Sequence, residues 1–341
     1  MLKRPVMSEL LLTFIVPVYN TERYLERCLS SIVGQGLPEG SYEVLVVDDG
    51  STDGSRDQAA AFTLIQPQVH LIIQKNAGVS AARNRALEQA RGRYVQFVDS
   101  DDYLQEGTIP RLLQRAVDED LDVLQFNYTS VDTLGKNQAV LRNDNYPTTP
   151  VMTGVEYLES HAMTPYVWRF ILRRDYLNQL SCRFDTSLIV CEDGALIARF
   201  LLNANRVAQD ATQAYCYMNR GDSAMHNNDL DYLRRRLLSQ VDSASSIDKT
   251  IREFEAATGR QAPISVSGVR NVYLYFAMTK ALTSGCVDEV VARVRQAGLY
   301  PFPCVGPEAN YFGKKWRFIH RLMMHPHLWS LLSRIYRFIK K

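Results

Sequence analysis

Six cysteines in 341 residues (Cys28, Cys182, Cys191, Cys216, Cys286, Cys304) form no CxxC pair and no closely spaced framework. That removes zinc ribbons and disulfide scaffolds, and it suits reduced thiols in a cytosolic protein. No run of 18 apolar residues occurs, so no membrane-spanning helix is expected. Lys3 and Arg4 precede an apolar run, as in a signal peptide. That run, Leu10 to Val18, ends in Pro17 and Asn20 rather than at a small-residue cleavage site, and it reads as a first strand. No GxGxxG follows this strand and there is no Walker A sequence, which weakens the ordinary dinucleotide and P-loop readings. Internal repeats and low-complexity tracts are lacking too. One acid-free stretch is also strongly basic: from Ala309 onward there are eight Lys or Arg and no Asp or Glu. The preceding 308 residues carry 31 basic against 37 acidic groups, so the C-terminus is a physically separate object. The rest of the composition, 46% hydrophobic and 22% charged, is that of a globular protein with ample core.

What is present is organised around Lys75 to Leu104, a Gly-containing turn, a helix, and a buried strand ending in acids. Ala81, Ala82, Ala86, Leu87 and Ala90 give the helix a narrow apolar face suited to close packing on a sheet. Gly92 stands where a left-handed C-cap residue is expected. Tyr94 to Val98 is an almost wholly apolar run, as in a strand covered on both faces, and Asp99, Ser100, Asp101 and Asp102 follow it. Upstream, Leu10 to Val18 is a strand, and Asn20 or Thr21 can cap a helix whose stripe is Leu25, Cys28, Leu29, Ile32 and Val33. Tyr42 to Val47 is a second buried strand ending in Asp48 and Asp49. A helix starting at Ser51 to Asp53 runs to about Ile65, and Val69 to Gln74 is a third strand. The order β-α-β-α-β-α-β predicts a parallel sheet with right-handed crossovers. Further on, a helix over Thr108 to Val117 and a strand over Asp122 to Val131 are expected. Short helices follow at Gly154 to Met163 and Asp175 to Leu180. After strand-like Val207 to Tyr217, a domain boundary is expected near residue 228, with a mostly helical remainder from 229 to 341.

Carboxylates at the carboxyl ends of strands lie where open α/β sheets bind ligands. In an extended segment residues two apart point the same way, so Asp99 and Asp101 can converge on one point. Like charges held together call for a cation, and a hard divalent ion bound by one or two carboxylates plus phosphate oxygens is the natural partner. The competing reading of DSDD alone is a solvated turn or a helix cap.

Four segments, IVPVYNTERYLERCLSSI, VLVVDDGSTDGS, KNAGVSAARNRALEQARGRYVQFVDSDD and CEDGALIARFLLN, together resemble the family 2 glycosyltransferases in order and spacing, covering most of residues 12 to 193. The resemblance implies a GT-A fold, an α/β architecture with a Rossmann-like, mostly parallel sheet flanked by helices, here with a C-terminal helical extension. It divides residues 1–228 into a nucleotide-binding half to about residue 105 and an acceptor half. By the resemblance, Pro17, Tyr19 and Asn20 frame the nucleotide, and Asp48 or Asp49 accepts an imide N–H of the base. Gly78, Arg83, Asp99 and Ser100 join the donor site, and Asp101 is the principal ligand for Mn²⁺ or Mg²⁺, with Asp99. Asp193, with Glu192 as its understudy, is the base that deprotonates the acceptor hydroxyl in an inverting transfer. Trp168 would stack on an acceptor sugar, although Phe170 stands where the family often has Lys. Arg220 is a diphosphate candidate and His226 a late metal ligand.

The expected activity is transfer of a sugar from a nucleotide donor, UDP-linked or similar, to a growing cell-envelope or exopolysaccharide glycan. The alternatives are a sugar nucleotidyltransferase, which should carry a Gly-rich loop where this chain has PVYN, and a non-catalytic nucleotide-sugar-binding module. At the C-terminus Leu328, Leu331, Leu332, Ile335, Phe338 and Ile339 share one helical face, with basic residues opposite. Upstream, Trp316, Ile319, Leu322 and Met323 stand near Lys314, Lys315, Arg317 and Arg321. A basic amphipathic helix of this kind suits an anionic membrane surface, and hence a cytoplasmic, peripheral protein. Nucleic acid is not expected, since no recognition fold accompanies the charge. On this reading the C-terminal helices have no bearing on the transfer chemistry.

Overall fold

A computed structural model describes residues 10–137, 145–220, 229–300 and 325–339. In chain order the elements are β1 (Leu12–Val18), α1 (Glu22–Val33), β2 (Tyr42–Asp48), α2 (Ser55–Ile65), β3 (Val69–Ile73), α3 (Val79–Gln89) and β4 (Tyr94–Phe97). There follow β5 (Tyr103–Leu104), α4 (Ile109–Asp118), β6 (Val123–Val131), α5 (Gly154–Ser160), β7 (Phe170–Arg173), α6 (Arg174–Gln179), α7 (Glu192–Asn203) and β8 (Val207–Met218). The helices α8 (Leu230–Thr258), α9 (Ile264–Ser284), α10 (Val287–Gln296) and α11 (Pro326–Ile339) complete the described chain.

The chain divides into two compact units that interleave. The first comprises 1–154, 166–186 and 204–221, and the second 155–165, 187–203 and 222–341. A single cut near residue 228 is therefore not how it divides, because α7 groups with the C-terminal helices.

In the first unit an eight-stranded sheet has the order β3-β2-β1-β4-β7-β6-β8-β5. The pairs among β1 to β4 are parallel, β7 runs antiparallel to both its neighbours, and β6 and β8 are parallel. All seven residues of β1 and of β2 are buried, as their mostly apolar runs require when helices cover both faces. On α1, Leu25, Cys28, Leu29 and Ile32 make the buried stripe. The polar Glu43 is tolerated inside because its carboxylate is fully engaged: Thr13 Oγ1 donates to it at 2.7 Å, and Arg91 donates through both its backbone N–H and its guanidinium.

The first strand lies at the topological switch point, with β2 on one side and β4 on the other. Val98 N–H donates to Ile15 O, so odd-numbered residues of β1 turn their peptide groups toward β4. Pro17 lacks an N–H and falls on that side just beyond Ile15↔Phe97, the last paired position. Its missing donor costs the sheet nothing there, and β1 and β4 part at the end where ligands bind in such sheets.

Gly92 serves a purpose other than the expected left-handed cap. Its φ is not positive, and the residue that ends α3, Ala90, is extended. A Cβ at Gly92 would meet Thr13 N at 2.6 Å and Leu12 C at 2.7 Å, so glycine is needed for close approach to β1. Gly92→Ala is expected to destabilise the protein by about 1–3 kcal/mol, as overpacking against rigid backbone does. A urea midpoint lowered at unchanged slope would show it; an unaltered midpoint would mean that β1 yields.

In the second unit α7 packs on α8, and α8 on α9. Asp229 caps α8 by accepting from Tyr232 N–H at 2.7 Å, and Gly259 and Gly285 end α8 and α9 in the left-handed conformation. The last helix, α11, is seated by polar anchors. Trp329 Nε1 donates to Met278 O at 3.1 Å, and Ser333 Oγ to Leu282 O at 2.9 Å. Leu328, Leu331, Leu332 and Ile335 are left 37–53% exposed. Among the described residues no helix is long and apolar enough to cross a membrane. The side chains of Phe338 and Ile339, and the whole Trp316 to Met323 segment, lie outside the described residues.

Candidate active site

The site grows from two loops zipped together at the carboxyl end of the sheet. Neither Asn20 nor Thr21 caps α1 through its own side chain. Asp53 Oδ2 instead accepts the Glu22 N–H at 3.1 Å, and Glu22 Oε2 accepts the Gly54 N–H at 3.0 Å, a reciprocal capping across the loops after β1 and β2. This delays α2, which starts at Ser55 rather than at Ser51 to Asp53. Asn20, at φ 53°, donates its N–H to Ser51 Oγ and accepts from Thr52 N–H at 2.8 Å. Asparagine tolerates that left-handed conformation. The Tyr19 ring beside it is exposed.

Asp48 and Asp49 are both buried, with their carboxylates on protein donors. Asp48 accepts from Ser51 N–H and from Arg56 Nε, the latter at 2.7 Å. Asp49 accepts from Gln74 Nε2 and from the N–H groups of Ala77 and Gly78, all between 2.7 and 2.8 Å. Both acids, expected as acceptors for the base, here accept from donors of their own loops and helices. Gly78, at φ 89°, turns the chain into α3, a conformation that favours glycine.

The acidic turn after β4 is closed by the Asp102 N–H donating to Asp99 O at 3.0 Å. Thr21 Oγ1 donates to Ser100 Oγ at 3.0 Å, linking the turn to the start of α1. Arg83, buried on α3 with its guanidinium over the Phe184 ring, donates to Asp99 Oδ1 at 2.8 Å. Arg220 donates to Asp101 Oδ2 at 2.7 Å and lies over the Tyr24 ring. The side chains of Asp99 and Asp101 stay 27% and 25% exposed. Burial, and then the charge of Asp99, raises the Asp101 carboxyl above its usual range, while Arg220 opposes the rise. The third acid, Asp102, is fully engaged inside. Its Oδ2 accepts from Tyr215 Oη at 2.8 Å and its Oδ1 from Met218 N–H at 2.7 Å. Burial, with the charges of Asp101 and Asp99, pushes it well up.

Two partly exposed carboxylates under mutual repulsion, with hard oxygen donors, fit a Mg²⁺ or Mn²⁺ ion that takes its other ligands from phosphate and water. Among the described residues no cluster of three or more His, Cys, Asp or Glu makes a closed metal cage. His226 lies outside the described residues.

Trp168 is a core residue here rather than an acceptor platform. It is 3% exposed, stacked on Tyr215 at 4.3 Å between ring centroids and on Tyr166 at 5.2 Å, with Tyr128 against it edge-on. No ring face is left for a sugar. The five described cysteines are free; Cys304 lies outside the described residues.

The acid pair Glu192-Asp193 opens α7 in the second unit. The segment before it is stapled to α8: Ser239 Oγ accepts from Ile189 N–H at 3.0 Å, and Ser243 Oγ donates to Cys191 O at 2.6 Å. Cys191 takes φ 61°, and burial, with the charges of Glu192 and Asp193, pushes its thiol up to about 12. Gly194 lets α7 meet α9, since a Cβ there would lie 2.7 Å from the Tyr273 hydroxyl. Asp193 is nearly buried and Glu192 less so. The helices α8 and α9 thus hold the segment that carries the acid pair.

Sequence reasoning misses Tyr215, Met218 and the Asp53–Glu22 exchange. The partners of Asp102 stand 113 and 116 residues away, beyond any local pattern.

Comparison with known proteins gives the following. The sequence profile of Glycosyl transferase family 2 matches residues 13–202. The uncharacterized glycosyltransferase YibD of Escherichia coli (strain K12) is 33% identical over 233 residues, 65% of this chain and 67% of the relative. Across three curated relatives the match spans 67%, 62% and 31% of their own length. Among solved structures, residues 1–349 of Staphylococcus aureus TarS superpose with a TM-score of 0.68 at 22% identity, over 96% of this chain and 91% of that one. The same protein has been solved with UDP-GlcNAc, at a TM-score of 0.60 and 20% identity over the same shares. The mannosyltransferase PcManGT of Pyrobaculum calidifontis, in complex with GDP-Man and Mn²⁺, superposes with a TM-score of 0.54 at 18% identity, over 100% of this chain and 92% of that one. At these identities the structural likeness establishes the fold.

Proposed function

Because the chain belongs to glycosyl transferase family 2, we propose that it moves a sugar from a nucleotide donor, UDP-linked, to a hydroxyl of a growing cell-envelope or exopolysaccharide glycan, with inversion. The observation that carries this reading is the Asp99–Asp102 turn at the switch point, where Arg83 and Arg220 each hold one of two partly exposed carboxylates. The UDP-GlcNAc complex of a protein with this fold supports the donor class, and the GDP-Man and Mn²⁺ complex of another supports a divalent ion. Asp193 takes the acceptor's hydroxyl proton while that oxygen bonds to the anomeric carbon. The bond from that carbon to the diphosphate breaks, and the nucleoside diphosphate leaves with the electron pair. Asp99 and Asp101, with His226 as a further ligand, would hold Mn²⁺ or Mg²⁺, which when bound supplies positive charge against the leaving diphosphate. Pro17, Tyr19, Asn20 and Ser100 border the nucleotide, and Arg220 contacts the diphosphate.

A panel of UDP-GlcNAc, UDP-glucose and GDP-mannose with Mn²⁺, read as free nucleotide release, tests the reading. Release from at least one donor, abolished by EDTA and restored by Mn²⁺, is the expected result. Full turnover in EDTA would overturn the metal assignment, and no release from any nucleotide sugar would count against the activity itself.

The finer localisation is at the cytoplasmic face of the membrane. Its support is the exposed row Leu328, Leu331, Leu332 and Ile335 on a helix already seated by Trp329 and Ser333, within a tail of eight cations and no acids. A second copy would bring the same positive charge, whereas an anionic leaflet complements it. Removing the helix would uncover the Trp329 seat on α9, so the cleaner variant is Leu331→Ser/Leu332→Ser/Ile335→Ser. Burying one such side chain is worth roughly 1.5–3 kcal/mol. The triple variant is expected to stay folded and to sediment with anionic vesicles at least tenfold more weakly. Equal sedimentation of variant and parent would remove the membrane reading.

A further inference from the structure

The strand β8 and the residues just after it hold the acidic turn from three positions: Tyr215 on Asp99 and Asp102, Met218 on Asp102, and Arg220 on Asp101. Tyr215 differs from the other two in kind. Its ring is wholly buried against Trp168, so it reaches no ligand. Its hydroxyl, however, sits between two members of the turn. It accepts the Asp99 N–H at 3.0 Å and donates to Asp102 Oδ2 at 2.8 Å. Asp102 is tied from its other oxygen to the backbone of the same strand through Met218. The β5–β8 pairing, Leu104↔Tyr215 and Tyr103↔Cys216, starts directly after the turn and fixes the register that makes these bonds possible.

A four-residue turn closed by one backbone bond has freedom at its two central residues, here Ser100 and Asp101. Fixing the first residue's N–H and the last residue's carboxylate to one rigid hydroxyl removes much of that freedom. We propose that Tyr215 is a positioning residue, which sets the spacing of the Asp99 and Asp101 carboxylates by bridging Asp99 N–H to the Asp102 carboxylate. The inference rests on the reading of Asp99 and Asp101 as ligands of a divalent cation. It assigns Asp102 a role too: it holds the turn's far end and stays off the ion. Groups that orient metal ligands commonly cost about 10–100-fold in metal affinity when removed.

Tyr215→Phe deletes one oxygen and keeps the stacked ring. With UDP present, Mn²⁺ binding followed by electron paramagnetic resonance is expected to weaken at least tenfold, while UDP binding without metal holds. Asp102→Ala cuts the same link from its other end, so the double variant should weaken Mn²⁺ binding little further than either single one. Backbone amide exchange across residues 97–104 should rise in Tyr215→Phe. A variant that binds Mn²⁺ as the parent does, with or without a lower melting temperature, overturns the positioning role and leaves the cation site standing. Additive losses in the double variant would also overturn it. A parent protein that binds no Mn²⁺ in the presence of UDP overturns the cation reading, and this inference with it.

Discussion

Asp101→Asn is expected to cut turnover by roughly a hundredfold or more, the scale of losing one preorganised electrostatic interaction in a transfer site. The reason is local. Asparagine keeps the size of the side chain and can still accept from Arg220, whose Nε now lies 2.7 Å from Asp101 Oδ2. What it cannot supply is the second negative charge of the pair. The fold should survive, because the buried anchors of the turn belong to Asp102, Tyr215 and Met218. Stability is even expected to rise slightly, since burial and the charge of Asp99 disfavour the ionised Asp101. Calorimetry should show donor affinity falling in the presence of Mn²⁺ and not in its absence. Unchanged turnover, or a variant that fails to fold, would remove Asp101 from the role.

Asp193→Asn is expected to separate binding from chemistry. A positioned base contributes about 10²–10⁴-fold to such a transfer, so kcat should collapse by that order while donor affinity persists. Glu192 is the control. If Glu192→Gln is inactive and Asp193→Asn is active, the assignment within the pair is reversed. An equal loss of donor affinity in Asp193→Asn would mean that this acid serves the donor instead. Gly194→Ala should act differently, through lowered stability, because its Cβ would lie 2.7 Å from the Tyr273 hydroxyl and make that side chain shift.

The parts of this arrangement that can be read from the sequence are those written in contiguous residues. Buried strands such as Leu12–Val18 and Tyr42–Asp48 are mostly apolar runs, and Asp48 and Asp49 stand at the end of the second, so strand and candidate site are legible together. The periodicity of residues 328–339 likewise reveals an amphipathic helix. It does not reveal which way the helix faces, because two anchors, Trp329 and Ser333, decide that, and both stand outside the leucine row. Gly92 stands out in the sequence for the wrong reason. A helix end and a close backbone approach both select glycine, and only the neighbouring strand distinguishes them. Trp168 illustrates the opposite failure: its motif suggests a surface, whereas Tyr215 and Tyr128 arrive from two distant strands and, with the adjacent Tyr166, enclose it.

The interleaving of the two units bears on how this protein can be recombined with its relatives. Residues 187–203 are short, yet they belong with α8 and α9, through Ser239, Ser243 and Tyr273. A chimera joined once near residue 228 would seat the native acid pair on foreign helices, without the two serine hydrogen bonds or the close fit of Gly194 against Tyr273. Exchange of 155–165, 187–203 and 222–341 as one set keeps that seat whole. Acceptor preference, if it travels with the acid pair, should therefore be inherited as three separated segments. A library with a single crossover point is expected to yield folded but inactive proteins where a three-segment library yields active ones.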